Sequence, residues 1–176
     1  MSGVIYRAAD RRFSAWKNGG GETAEILCHP AGASFDDFQW RISTARVVTS
    51  GPFSVFPGVD RVLAVIEGGA MTLRLPGGET VLRAGSDPFS FPGDLPCGAE
   101  LDGEPLLDLN VMVRRPLAAR VSRVKDDRLT VRHPCVARYL FAVETASGLA
   151  RHDLQEWSGD VIPPYPAALV IEILSR

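Results

Sequence analysis

Leu106-Leu107-Asp108-Leu109-Asn110-Val111-Met112-Val113-Arg114 alternates with a period of two. Successive side chains of a β-strand leave opposite faces of the sheet. Leu107, Leu109, Val111 and Val113 therefore point one way, and Asp108, Asn110, Met112 and Arg114 the other. The first face is purely apolar and requires a core. The second mixes an acid, an amide, a thioether and a guanidinium. Two readings stand for it. It lines a small cavity, as the lumen of a small barrel does, or it forms an internal polar network with no ligand.

Outward from this strand the chain keeps the same character. Phe38 to Ser43 alternates, Arg61 to Ile66 reads as a strand, and Met71–Leu75 with Glu79–Arg83 reads as a hairpin turned by Pro76-Gly77-Gly78. Phe89-Ser90-Phe91 is short and stops at Pro92-Gly93-Asp94. Short apolar runs between Gly/Pro turn signals predict an all-β sandwich or barrel. Pro116 to Asp127 fits either a strand or a short helix. Arg138–Val143 and Ala168–Leu174 read as strands, the last one buried. No linker or low-complexity stretch divides the chain.

Composition narrows the function. The 176 residues are 45% hydrophobic and 23% charged, ordinary values for a globular protein with a real core. The net charge of −2 gives no long-range attraction for polyanions, so nucleic acid is not an expected partner. The three cysteines (Cys28, Cys97, Cys135) are odd in number and widely spaced, which predicts reduced thiols. No signal-like leader and no apolar stretch of about 20 residues is present, so the expected setting is the cytoplasm, away from membranes. P-loop, dinucleotide and GxSxG signatures are missing. His29, His133 and His152 are isolated.

Three further clusters could carry chemistry. Trp16-Lys17-Asn18-Gly19-Gly20-Gly21-Glu22-Thr23 is either a glycine-rich turn anchored by Trp16 or a loop at a pocket mouth, since glycines let a backbone approach closely. In Trp40-Arg41-Ile42-Ser43, Arg41 and Ser43 share a face that is either solvated or the lumen. Gly51-Pro52-Phe53-Ser54-Val55-Phe56-Pro57-Gly58-Val59-Asp60-Arg61 ends on an arginine at a strand start. That guanidinium either clamps a carboxylate bidentately or pairs with Asp60.

These three blocks, with Asp108 to Arg115, resemble the HutD/Ves family and occur in that family's order from Trp16 to Arg115. The resemblance implies a cupin-type (RmlC-like) β-barrel or jelly roll. It implies one compact bicupin-like unit over residues 1–176, with a first barrel at about 14–115 and a second completed by 116–176. It implies no metal and no cofactor. The sequence agrees in its ligand arithmetic: no His follows Arg61 where metal-binding cupins place their pair, and Pro96-Cys97 stands where the late His belongs.

HutD proteins are associated with histidine utilisation, so the resemblance implies a regulator that binds a small acid such as N-formyl-L-glutamate and moderates the pathway. Ves-type relatives are linked to cold or stress response instead. Arg61 resembles the family's pocket arginine. Trp16, Asn18, Glu22 and Thr23 match its glycine-rich block, and Arg41, Ser43, Phe53, Ser54, Asp108, Asn110 and Met112 match the others. All twelve are candidate ligand residues. The rival reading is a metal-free cupin enzyme of isomerase or epimerase type acting on a small acid or sugar, with Glu22 or Asp108 as a base if burial raises its pKa. A homodimer is the default assembly.

Overall fold

Among the described residues every element is a strand apart from one 3₁₀ turn at Ala8–Asp10, as the recurrent short apolar runs predict. The computed structural model describes residues 2–124, 129–130 and 135–176. His133 and residues 125–127, the end of the segment read as strand or helix, lie outside the described residues. Strand β1 (Ser2–Tyr6) opens the chain. It is followed by β2 (Ser14–Ala15), β3 (Gly21–His29), β4 (Trp40–Val47), β5 (Gly51–Phe53), β6 (Val59–Gly68), β7 (Met71–Leu75), β8 (Gly78–Leu82), β9 (Phe89–Pro92), β10 (Cys97–Leu101) and β11 (Leu106–Arg114). Strands β12 (Ala118–Val124), β13 (Leu129–Thr130), β14 (Ala137–Ala142), β15 (Leu154–Trp157), β16 (Val161–Ile162) and β17 (Ala168–Leu174) complete it.

The chain divides into two units, Arg12–Arg115 and Met1–Arg11 with Pro116–Arg176. In the first, a six-stranded antiparallel sheet runs β2-β3-β4-β11-β6-β9 and a four-stranded sheet runs β5-β10-β7-β8. The two sheets share one core. Ala45, Val47, Leu63, Val65 and Leu106 of the larger sheet pack with Met71, Leu73, Leu82, Cys97 and Ala99 of the smaller. The result is a double-sheet jelly roll rather than a closed hydrogen-bonded cylinder. A side chain such as Leu73, fully buried here, adds about 1.5–3 kcal/mol by leaving water. The predicted hairpin forms with Leu75 opposite Gly78, so Pro76-Gly77 is its two-residue loop.

The second unit is built on a five-stranded sheet, β1-β15-β14-β17-β12. The segment after Pro116 is therefore a strand, paired along its length with β17. The chain's first strand closes the opposite edge by pairing with β15, about 150 residues away. Leu140, Val170, Ala168 and Val124 face a core shared with Leu149, Ile162 and Tyr165. Among the described residues, no helix is long and apolar enough to cross a membrane.

Candidate functional site

The decisive strand β11 lies at the centre of the larger sheet, between β4 and β6. Its register fixes the neighbours of each side chain. Asp108 lies opposite Ala45 and Val65, Asn110 opposite Ser43 and Leu63, and Met112 opposite Arg41 and Arg61. Side chains in register share a face. The face carrying Asp108 is the inner one, since Ala45, Val65 and Leu63 belong to the core between the sheets. Arg41 and Ser43 are therefore on the lumen side and not the solvated one. Leu107, Leu109, Val111 and Val113 on the opposite face are buried too.

Arg61 is the centre of this face. It is 6% exposed. Its guanidinium carbon lies 5.2 Å from the Phe53 ring centre, 5.6 Å from Phe56 and 5.2 Å from Phe91. Such contacts are electrostatically favourable because each ring face is negative, and desolvation strengthens them. Its hydrogen bonds are long. Nε donates to Asn110 Oδ1 at 3.4 Å, and a terminal nitrogen donates to the Ser54 carbonyl at 3.4 Å. Among the described residues no carboxylate lies within ion-pair distance of it. Burial pushes its pKa down. The field of Asp108 pushes it up, with a smaller contribution from Cys97, and Arg41 pushes it further down.

Asp108 is 2% exposed, and its Oδ1 has no hydrogen-bond partner. Burial raises its pKa to about 7, against the opposing pull of Arg61 and the Ala45 amide. A β-bulge in β6 faces this point, because the register moves from Leu107–Glu67 to Asp108–Val65 and skips Ile66. Arg41 has a different balance. Its Nε donates to Glu25 at 2.9 Å, a second nitrogen donates to the Ser43 hydroxyl at 3.2 Å, and Phe35 lies 4.9 Å from its guanidinium. Met112 packs on Phe38 and Val59.

The glycine-rich block lies at the other end of the same face. Asn18 and Gly19 form the turn that Asn-Gly predicts: Gly19 takes φ +72°, and Asn18 Oδ1 accepts the Gly20 amide at 2.9 Å. Gly21 lies against the Trp16 ring and the Arg46 carbonyl, where any Cβ would collide. The Trp16 indole donates to the Thr23 hydroxyl at 2.7 Å. Trp16, Asn18, Ser50, Pro52 and Phe53 line a small open hollow. Phe53 is common to both places, since one ring lines the hollow and lies over Arg61.

Nine of the twelve candidates thus fall on one connected surface: Arg61, Phe53, Ser54, Asp108, Asn110, Met112, Arg41 and Ser43, with Trp16 joined through Phe53. Thr23 serves Trp16, and Asn18 is committed to its own turn. Glu22 is not brought together with Arg61. It lies opposite Arg46, one residue out of phase with the inner face, and pairs with that arginine at 2.7 Å. Sequence reasoning did not single out Phe56, Phe91 and Glu25. Phe91 meets Arg61 only through the β6·β9 register, in which the two are directly opposed. The Phe53–Phe56 spacing and the Thr23–Glu25 alternation were the available signals for the other two. Among the described residues, no three His, Cys, Asp or Glu side chains converge.

Fold and site together define a cupin-type jelly roll with a caged arginine on its inner face. The HutD family model matches residues 8–160, and the chain belongs to that family. It is 33% identical to a conserved protein from Pseudomonas aeruginosa PAO1 whose crystal structure matches with a TM-score of 0.82 over 98% of both chains. HutD from Pseudomonas fluorescens SBW25, solved in a formate condition, gives 30% identity and a TM-score of 0.83 over 98% of both chains. Protein Ves of Cronobacter sakazakii is 44% identical over 119 residues, 65% of this chain and 62% of that protein. The chain thus spans about three-fifths of the length of that curated relative.

Proposed function

We propose that this protein binds a small acidic metabolite without a metal, N-formyl-L-glutamate or a close analogue, and moderates histidine utilisation. The observation that carries the reading is Arg61: a buried cation with three aromatic rings around it and no carboxylate of the described chain in ion-pair contact. An unpaired buried charge is costly, typically several kcal/mol, and a ligand carboxylate removes that cost through a bidentate pair. Asn110 and Ser54 orient the guanidinium. Arg41, two strands away and paired with Glu25, supplies further hydrogen-bond donors on the same face. Family membership supports the pathway assignment, because the name HutD denotes histidine utilisation.

Thermal melts test this against N-formyl-L-glutamate, glutamate, urocanate and formate. A ligand at about 100 times its Kd stabilises by about 2.7 kcal/mol, which at this chain length is a rise of roughly 5–11 °C. The rise is expected with an acid, is unchanged by EDTA and is absent in Arg61→Met. No rise with any of these acids rejects the ligand class.

One observation favours a second reading, a metal-free enzyme. Asp108 is buried on the same face as the cation and feels its field, and burial pushes its pKa up to about 7, a value suited to a general base. Turnover of a bound acid that Asp108→Asn abolishes while binding persists would establish it.

A further inference from the structure

The inner face holds two groups of opposite charge that do not touch. Arg61 and Asp108 are both buried, neither has an ion-pair partner among the described residues, and each feels the other's field. Without ligand, Asp108 is the counter-charge of Arg61 at a distance. A ligand carboxylate that pairs with Arg61 takes over that role. Asp108 is then a second anion on the same inner face of a desolvated core, within the field of the Arg61 site, and a like charge there raises a carboxyl pKa.

Apart from the Ala45 amide, the other groups facing Asp108 offer no relief. On β4 the nearest cation of this face is Arg41, two rungs beyond Ala45, and Glu25 of β3 already holds it. Cys97 of β10 is a buried thiol whose pKa is raised by burial. Strands β5, β7, β8 and β9 turn Phe53, Met71, Leu73, Leu82 and Phe91 into this core. Asp108 Oδ1 has no hydrogen-bond donor to stabilise a charge. The bulge at Ile66 fixes the carboxyl in register with Val65, on the ligand side of the sheet.

We propose that the site takes up its acid together with one proton, which is held on Asp108. The inference rests on the acid-binding reading above. The balance is simple: the ligand carboxylate stays ionised on Arg61, one solvent proton joins the Asp108 carboxylate, and no covalent bond between heavy atoms changes. The sign follows from linkage. The Asp108 pKa is higher with ligand than without, so affinity is greatest below pH 7 and falls as pH rises above it. Between pH 6 and pH 8 the loss is on the order of tenfold.

Isothermal titration of the whole protein with N-formyl-L-glutamate and, separately, formate tests it. Titrations at pH 6 in bis-Tris and in imidazole, and at pH 8 in Tris and in triethanolamine, give the proton count, because the buffers of each pair are cationic and differ in ionisation enthalpy. The expected result is close to one proton taken up at pH 8 and almost none at pH 6. Asp108→Asn is expected to bind with the same affinity at both pH values and with no proton change. Tight binding at pH 8 with no proton uptake overturns the inference and leaves the acid site standing. A tenfold loss that persists in Asp108→Asn overturns it too, because another group then carries the proton. If Asp108→Asn does not fold, the wild-type proton count decides alone. No binding at pH 6 with either acid rejects the acid site itself, and this inference with it.

Discussion

Two arginines of this chain are buried to a similar degree, and they live in opposite surroundings. Arg138 on β14 is 8% exposed and meets Glu172 on β17, its register partner, at 3.4 Å. It also donates to the Gly159 carbonyl at 3.0 Å, and Glu172 has Arg120 at 3.7 Å on its other side. Arg61 on β6 has aromatic rings, two hydrogen bonds of 3.4 Å and, among the described residues, no such acid. The difference teaches how to separate a structural buried charge from a functional one. A chain that needs a buried arginine for its own fold supplies the carboxylate. Among the described residues Arg61 has no such carboxylate, and the proposed acid site rests on that contrast.

The comparison is open to a direct attack. Glu172→Ala removes the carboxylate that Arg138 and Arg120 both meet, and taking one partner from a buried pair costs roughly 3–5 kcal/mol. The melting temperature should fall by roughly 6–20 °C. A loss below about 1 kcal/mol would mean that the Arg138 pair is no more structural than Arg61, and the contrast would fail.

Asp108 gives the next largest effect, and its sign is fixed. Its folded pKa of about 7 lies above the ordinary value of 3.8, so the folded state holds a proton that the unfolded state has lost. Between these two values stability falls as pH rises. At about 1.36 kcal/mol per unit the full penalty at pH 8 approaches roughly 4 kcal/mol. Asp108→Asn removes the titration. It should raise the melting temperature at pH 8 and change little at pH 4. A variant that melts lower than wild type at pH 8 would show that the carboxylate is stabilised by partners absent from the described residues.

Arg61→Met comes third. Replacing a charge that lacks a tight partner with an apolar side chain of similar length is often neutral or stabilising. Asp108, freed of its attraction, becomes more easily protonated and stays tolerable in the core. The melting temperature without ligand should stay within about 4 °C of wild type, a change of about 1 kcal/mol. A fall as large as that of Glu172→Ala would make Arg61 a structural residue.

The sequence carried the inner face of β11 well, because a period of two is a local signal. Asp108, Asn110 and Met112 share a face in the structure as their spacing requires. What pairs with that face was not legible. Phe91 is 30 positions from Arg61, and nothing local brings β9 beside β6. The bulge at Ile66 leaves no trace in the apolar run around it. The N-terminal strand pairs with Leu154–Trp157, a short segment with polar residues at its centre, so neither end of that pairing announces itself. The glycine-rich block shows the converse. Its turn was read correctly from Asn-Gly, yet local chemistry does not say whether an asparagine faces a ligand, and here Asn18 satisfies the Gly20 amide.

The smallest effect is the sharpest on boundaries. Glu22 has the same chemistry as Asp108 and lies in a block that resembles the family's, but it sits on the other face of the sheet. There it meets Arg46, itself stacked 4.1 Å from Phe13. An ion pair between partly exposed groups contributes about 0–1 kcal/mol, since water screens it and two long side chains must be ordered. Glu22→Gln should therefore shift the melting temperature by no more than a few degrees. It should leave the acid-induced rise and its pH dependence as in wild type, checked by melts with N-formyl-L-glutamate at pH 6 and pH 8. If that rise were lost, the ligand would have to touch the outer face. The site would then be set by the glycine-rich loop rather than by the caged arginine.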